Sequence, residues 1–151
     1  MKNASRIVPT AARYLQGAAF LVFGLNGFFQ FLPQPPPPPA EAASFAGALF
    51  ATGYMFPLIK GTEIVSALLL LSNRFVPLAL ALIAPVVVNI VAFHLFLAPA
   101  GMALPLLLLA TELVLAWSYR DAFAPMLRAR VAPTESASHD HVPARTAGAS
   151  A

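Results

Sequence analysis

The chain alternates long apolar runs with short polar breaks, and four of the runs approach the length of about 20 residues that a helix needs to cross a bilayer. Residues 11–32 are apolar apart from Arg13, Gln16, Asn26 and Gln30. Residues 57–72 carry Lys60 and Glu63 near their start, and residues 75–97 hold Pro85, Asn89 and His94. Residues 102–119 contain Glu112 and end on Trp117 and Tyr119. The turn Ser72-Asn73-Arg74 is so short that the second and third runs must lie antiparallel. Pro57 suits the first position of a helix. Pro85 is expected to kink the third, freeing the carbonyl of Ala81. Gly17 and Gly24 fall on one stripe, where small residues let another helix approach closely. The expected architecture is all-α, an integral membrane four-helix bundle within residues 1–131.

The connections differ in kind. Pro33 and the five prolines from Pro35 to Pro39 cannot be helical, and the five in a row should form a polyproline II strut of ~15 Å. Residues 41–54 then place Phe45, Leu49 and Phe50 at helical spacing. They predict a short helix in the membrane interface, with Tyr54 and Phe56 as anchors, or equally a lid over a site. A cleaved leader is set aside, because the run at 11–32 exceeds the roughly 7–15 residues of a signal core. From residue 132 no periodicity survives, so 132–151 is expected to be a disordered cytoplasmic tail. His139, Asp140 and His141 lie in it, and no metal site is assigned.

Composition agrees with the pattern. Hydrophobic residues are 59% of the chain and charged residues 10%, and mean hydropathy is +0.76. A soluble core of this size cannot hide that surplus, so it should face the lipid bilayer. A net charge of +3 invites a nucleic-acid reading. The basic residues flank apolar runs instead of interleaving with aromatics, so no nucleic-acid partner is expected. Cysteine is absent, which excludes thiolate nucleophiles, disulfide exchange and iron–sulfur ligation. Lys2, Arg6, Arg13, Arg74, Arg120, Arg128 and Arg130 occupy the N-terminus, the second connection and the C-terminal part, while the first and third connections contain no lysine or arginine. The positive-inside rule then puts both termini in the cytoplasm.

Orientation makes depths comparable. At 1.5 Å per residue, Gln30, Lys60 and His94 come out ~3 to 5 Å deep, Asn26 and Glu63 ~9 Å, Asn89 ~12 Å and Glu112 ~15 Å. All seven fall in the outer half or at the midplane, so one shared polar pocket opening outward is expected. Lys60 and Glu63 stand three apart and can meet on a helix surface. Other uses remain open. Asn26, Gln30 and Asn89 can serve as interhelical hydrogen-bond glue, and Lys60 and His94 are shallow enough to reach headgroups. Glu63 and Glu112 are too deep for that and need a partner or a proton. With Asn89 nearest by depth, Glu112 is expected to be protonated and to donate a hydrogen bond across the bundle.

Gly24-Leu25-Asn26-Gly27, Gly53-Tyr54 ahead of Pro57-Leu58, Glu63, Arg74 and His94 stand in an order and spacing that resembles the DoxX family of small four-helix bacterial membrane proteins. The resemblance runs from about Arg13 to Arg120. It implies a subunit of a membrane oxidoreductase, as in thiosulfate:quinone oxidoreductase, seated in the bacterial inner membrane. It also implies Glu63, His94 and Arg74 of the cytoplasmic loop as site residues. A redox partner protein or a second copy would be the partner, and a quinone the cofactor class. Lys60 or His94 would then hydrogen-bond a quinone carbonyl while Glu63 relays the proton. The chain departs from the family pattern at Ser66-Ala67, at Lys60 and in the proline strut. Haem does not fit, since one intramembrane histidine cannot supply bis-histidine ligation and Met55 and Met102 lie in loops or at ends. No catalytic residue is assigned. A small-molecule or proton-coupled transporter titrating Glu63 and Glu112, and a non-catalytic scaffold or assembly factor, are the alternative functions.

Overall fold

Apolar residues at three- and four-residue spacing, with most prolines kept to connections and helix starts, make most of the described residues helical. The computed structural model describes residues 4–33 and 36–131. Its α-helices are α1 (Ala4–Phe29), α2 (Ala40–Ala51), α3 (Met55–Leu71), α4 (Val76–Phe96), α5 (Ala103–Ser118) and the single-turn α6 (Arg120–Phe123). Short 3-10 turns follow at Pro99–Gly101 and Ala124–Leu127. No strand occurs among the described residues. Helices α1 and α4 each pack against both α3 and α5, so the four long helices close a ring in which sequence neighbours run antiparallel. The expected tail at 132–151, with His139, Asp140 and His141, lies outside the described residues, as do Lys2 and part of the proline strut.

The predicted spans match the helices closely at 57–72, 75–97 and 102–119, and less well at 11–32. Helix α1 starts earlier, at Ala4, and stops at Phe29. Gln30 takes a φ of 49°, and the Asn26 side-chain oxygen accepts a hydrogen bond from the Leu32 amide at 2.8 Å. A left-handed residue and a side-chain cap end the helix there. Helix α4 continues through Pro85 as one helix, with Pro85 exposed on the outer face of the bundle. In the tight turn after α3, Asn73 and Phe75 have φ of 56° and 53°. The Arg74 amide meanwhile bonds back to the Leu69 carbonyl. A bulky Phe75 in that region is strained backbone.

Helix α2 departs from α3 at 91° and so lies across one end of the ring. Pro39, with φ −50° and ψ 150°, carries extended backbone into its start.

Two apolar clusters fill the centre. Ala12, Leu70, Val76, Ala79, Leu80 and Leu115 form one, and Phe20, Ala67, Ile83, Val87 and Leu108 form the other. Polar Gln16, Ser66, Thr111 and Glu112 are buried at the levels between them. The outer surface is apolar too, with Val65, Leu68, Leu78, Val88, Leu106 and Leu113 all exposed. Among the described residues, helix α4 alone, 21 residues long, is long and apolar enough by itself to cross a membrane. Helices α3 and α5 have 17 and 16 residues and reach spanning length only when counted with the bent neighbour beside each.

Glycines on α1 set its distance from α3. A Cβ at Gly24 would come within 2.8 Å of Ile64 Cγ1, and one at Gly17 within 2.9 Å of Leu71 Cγ. Gly24→Val should therefore force the two helices apart and cost about 1–3 kcal/mol. Gly61, on an open part of α3, has nothing within 4 Å of such a Cβ. Gly61→Ala should raise stability by up to about 1 kcal/mol through helix propensity alone. Thermal unfolding of both variants in detergent measures the contrast; equal shifts would mean that the glycine stripe does not set the packing.

Candidate functional site

The first two turns of α3 place Lys60 and Glu63 on the face turned toward α1 and α4. Lys60 lays its aliphatic stem across Gly27 of α1, where an added Cβ would sit 2.7 Å from both Cγ and Cδ. Its Nζ donates to both carboxylate oxygens of Glu63, each at 2.9 Å. Glu63 is 2% exposed and Lys60 19%. Lys60 therefore folds inward onto Glu63 and does not reach away from it. The Phe56 ring lies 5.8 Å from the ammonium, close enough for a weak cation–π contribution.

This pair forms one wall of a cavity of about 170 Å³. Asn89, Phe93 and His94 of α4 form the opposite wall, and Phe45 and Leu49 of α2 cover it. The Phe45 and Phe93 rings lie 5.7 Å apart, and Phe50 meets Phe56 edge-on at 5.6 Å. Of the two expectations for the segment at 41–54, α2 therefore acts as the lid. His94 is held from two sides. Its Nδ1 donates to the Ile90 carbonyl at 2.8 Å. Its other edge rests on Gly101, where a Cβ would approach Cδ2 to 2.9 Å and Nε2 to 3.2 Å. With Nδ1 carrying the proton of the neutral ring, Nε2 is an acceptor.

The seven expected pocket residues do not share one pocket. Lys60, Glu63, Asn89 and His94 line the cavity under α2. Asn26 and Gln30 line a separate cleft of about 320 Å³ on the other side of Lys60, with Phe23, Gly27 and Phe56. Asn26 is not interhelical glue, since its oxygen caps its own helix, and Gln30 is exposed. Asn89 borders the cavity but does not reach Glu112. Arg74 sits exposed in the turn after α3, about 20 Å along the helix from Lys60.

Glu112 belongs to the buried polar level instead. Its partner is Gln16 of α1, whose Nε2 donates to Glu112 Oε2. The expectation of Asn89 as the nearest group failed because depth says nothing about which way a helix face points. Gln16 Oε1 and the Ser66 hydroxyl are buried and have no hydrogen-bond partner among the described residues. The pair serves either protonation state of Glu112, since an amide nitrogen donates to a carboxylate and the amide turned over accepts from a carboxylic acid. Sequence reasoning passed over Gln16 and the burial of Arg13. Their spacing with Ala12, Phe20, Gly24 and Gly27, at three and four residues, marks the inward face of α1 and was the available signal.

Breaking the ion pair on one side leaves a buried charge. Lys60→Met should cost about 3–5 kcal/mol in thermal or denaturant unfolding, and Lys60→Met with Glu63→Met should recover most of it. A silent Lys60→Met would mean that the pair does not hold in solution. Glu112→Gln should stay within about 1 kcal/mol of the parent, because an amide keeps a bond to Gln16, whereas Gln16→Leu should cost about 1–3 kcal/mol. The reverse order in the same assay would place the partner of Glu112 elsewhere.

No family model matches this chain, and no curated protein or solved structure matches it.

Proposed function

We propose that the protein is a DoxX-like integral membrane protein of a bacterial inner membrane, that its lidded cavity takes a quinone ring, and that it works as the membrane subunit of an oxidoreductase. In this reading α1, α3, α4 and α5 cross the bilayer with both termini in the cytoplasm. Support for the membrane part comes from the apolar outer surface, from the length and composition of α4, and from the lysine- and arginine-free first and third connections. Helices of 16 and 17 residues rise about 24–26 Å, close to the ~30 Å of hydrocarbon to be crossed.

The observation that carries the ligand is a ring-sized apolar cavity with a buried ion pair as its wall. A dry cavity of about 150 Å³ holds one benzene ring, so 170 Å³ admits a single six-membered ring beside the touching rings of Phe45 and Phe93. Its polar groups suit a ring with a carbonyl at one edge, which takes the lysine N–H, and a hydroxyl, as in the reduced form, at the other, which gives its proton to the histidine. Lys60 has three N–H groups; two go to Glu63, which leaves one for a ligand oxygen. His94 Nε2 offers an acceptor, and Glu63 stands behind Lys60 to exchange a proton with it. A bound quinone would supply acceptance of two electrons and two protons, the electrons coming from a redox partner protein.

Two experiments test the reading. Wild-type protein extracted from membranes in mild detergent should carry a quinone that organic extraction releases. A short-chain quinone should rebind, and Phe45→Trp, which fills the cavity, should weaken it about tenfold or more. Protein that holds no quinone and ignores the added one would overturn the ligand. Reporter fusions at Ala40 and Ala151 should report the outer and the cytoplasmic side respectively, and an external signal at Ala151 would overturn the four-span topology.

A further inference from the structure

The end of the bundle away from α2 holds a second cavity, of about 460 Å³, and its chemistry is the opposite of the first. Arg13 of α1 and Arg120 of α6 both line it, with Asn73, Trp117 and Tyr119. No acidic residue lines it among the described residues. The volume is within the range of about 300–1,000 Å³ usual for small-molecule sites.

Arg13 is the unusual member. It is only 6% exposed, yet no carboxylate lies within ion-pairing distance of it among the described residues. Its Nη1 donates to the Leu70 carbonyl and, at 3.4 Å, to the Leu71 carbonyl, so one arm closes the end of α3. No other nitrogen of Arg13 has a hydrogen-bond partner among the described residues. The guanidinium also lies 4.5 Å from the Tyr14 ring. A cation taken out of water without a counter-charge is costly. A guanidinium presents five donors in a planar fork that matches a phosphate.

Arg120 supplies the second fork. One nitrogen donates to the Trp117 carbonyl at 3.1 Å, and the group lies 5.3 Å from the Trp117 ring. Its only acidic neighbour among the described residues is Asp121 at 4.0 Å, which is 95% exposed and therefore screened by solvent. Two positive groups, one of them buried, face one cavity that no carboxylate of the described residues lines. Trp117 and Tyr119 beside them are residues that favour the headgroup level of a bilayer.

We infer that this cavity binds the phosphate of an anionic phospholipid headgroup, held between Arg13 and Arg120. The inference rests on the membrane reading above and is independent of the quinone. A bound phosphate would tie α1, α6 and the end of α3 together and neutralise Arg13 in place. Free inorganic phosphate has the same chemistry, and the test separates the two sources.

Trp117 is the only tryptophan of the chain and lies on the wall of this cavity, so its fluorescence reports occupancy. The full chain in neutral detergent is titrated with phosphatidylglycerol, with phosphatidylcholine and with inorganic phosphate. Phosphatidylglycerol should give a saturable change and phosphatidylcholine none. Arg120→Gln should raise the midpoint about tenfold or more, the loss of one charge-assisted contact. Arg13→Lys, which keeps the charge and loses the fork, should weaken it as well. Identical responses to the two lipids, or an unchanged midpoint in Arg120→Gln, would overturn the site. Saturation by inorganic phosphate with displacement of the lipid would overturn the lipid source. Co-flotation of the wild type with pure phosphatidylcholine vesicles reads the membrane assignment separately: flotation without phosphatidylglycerol selectivity rejects only the headgroup site, and failure to float rejects the membrane reading.

Discussion

The arrangement depends on a lysine and a glutamate that share a buried position three residues apart on α3. Helical spacing brings the two side chains into reach, but spacing alone does not decide that they meet. Lys60 would otherwise be free to extend away from the protein. The neighbouring helix decides it, because Gly27 leaves a channel just wide enough for the lysine stem. Gly24 does the same for the Glu63 backbone region by letting α1 close on α3. Close packing and the ion pair are thus one feature: without the glycines there is no groove, and without the groove no desolvated pair.

The pair also divides the end of the bundle. On one side lies a narrow, aromatic-walled cavity under α2, and on the other a wider cleft lined by Asn26 and Gln30. A lysine between two spaces can donate into only one while it keeps both bonds to Glu63. The first is the narrower and more aromatic of the two, with Phe45 and Leu49 covering it. In the proposed function this is what allows the one free lysine N–H to select a ring carbonyl.

Further along the axis the polar groups come at levels. Gln16 and Glu112 meet between the two apolar clusters. Arg13, one turn further along α1, closes the end of α3 and opens to the basic cavity. Each level satisfies a different demand. The Lys60–Glu63 pair balances its charges within one helix, the middle pair joins α1 to α5, and Arg13 has carbonyl partners but no acidic one among the described residues. Among the described residues, Gln16 Oε1 and the Ser66 hydroxyl are the buried side-chain atoms left without a partner, and so places where a water would find one.

The helices, the limits of α3, α4 and α5, and the antiparallel α3–α4 pair were legible in the sequence, because periodicity, proline and a three-residue turn act locally. The Lys60–Glu63 pairing was legible for the same reason, since both residues ride one helix. Gln30 marks the limit even locally, for the end of α1 is set by an asparagine cap and a left-handed residue that composition does not reveal. Which residues meet across helices was not legible. Depth along a span follows from counting residues, but facing follows from rotation, and each residue turns a helix by about 100°. Seven polar residues at similar depths therefore looked like one pocket, and the tertiary structure sorted them into a lidded cavity, an open cleft and a buried pair. By itself the sequence determined what each helix carries and at what height. Only the packing of α1 against α3 and α5 decided that Lys60 folds onto Glu63, that Glu112 answers to Gln16, and that Arg13 is buried, because those outcomes depend on the direction each face takes in the closed ring.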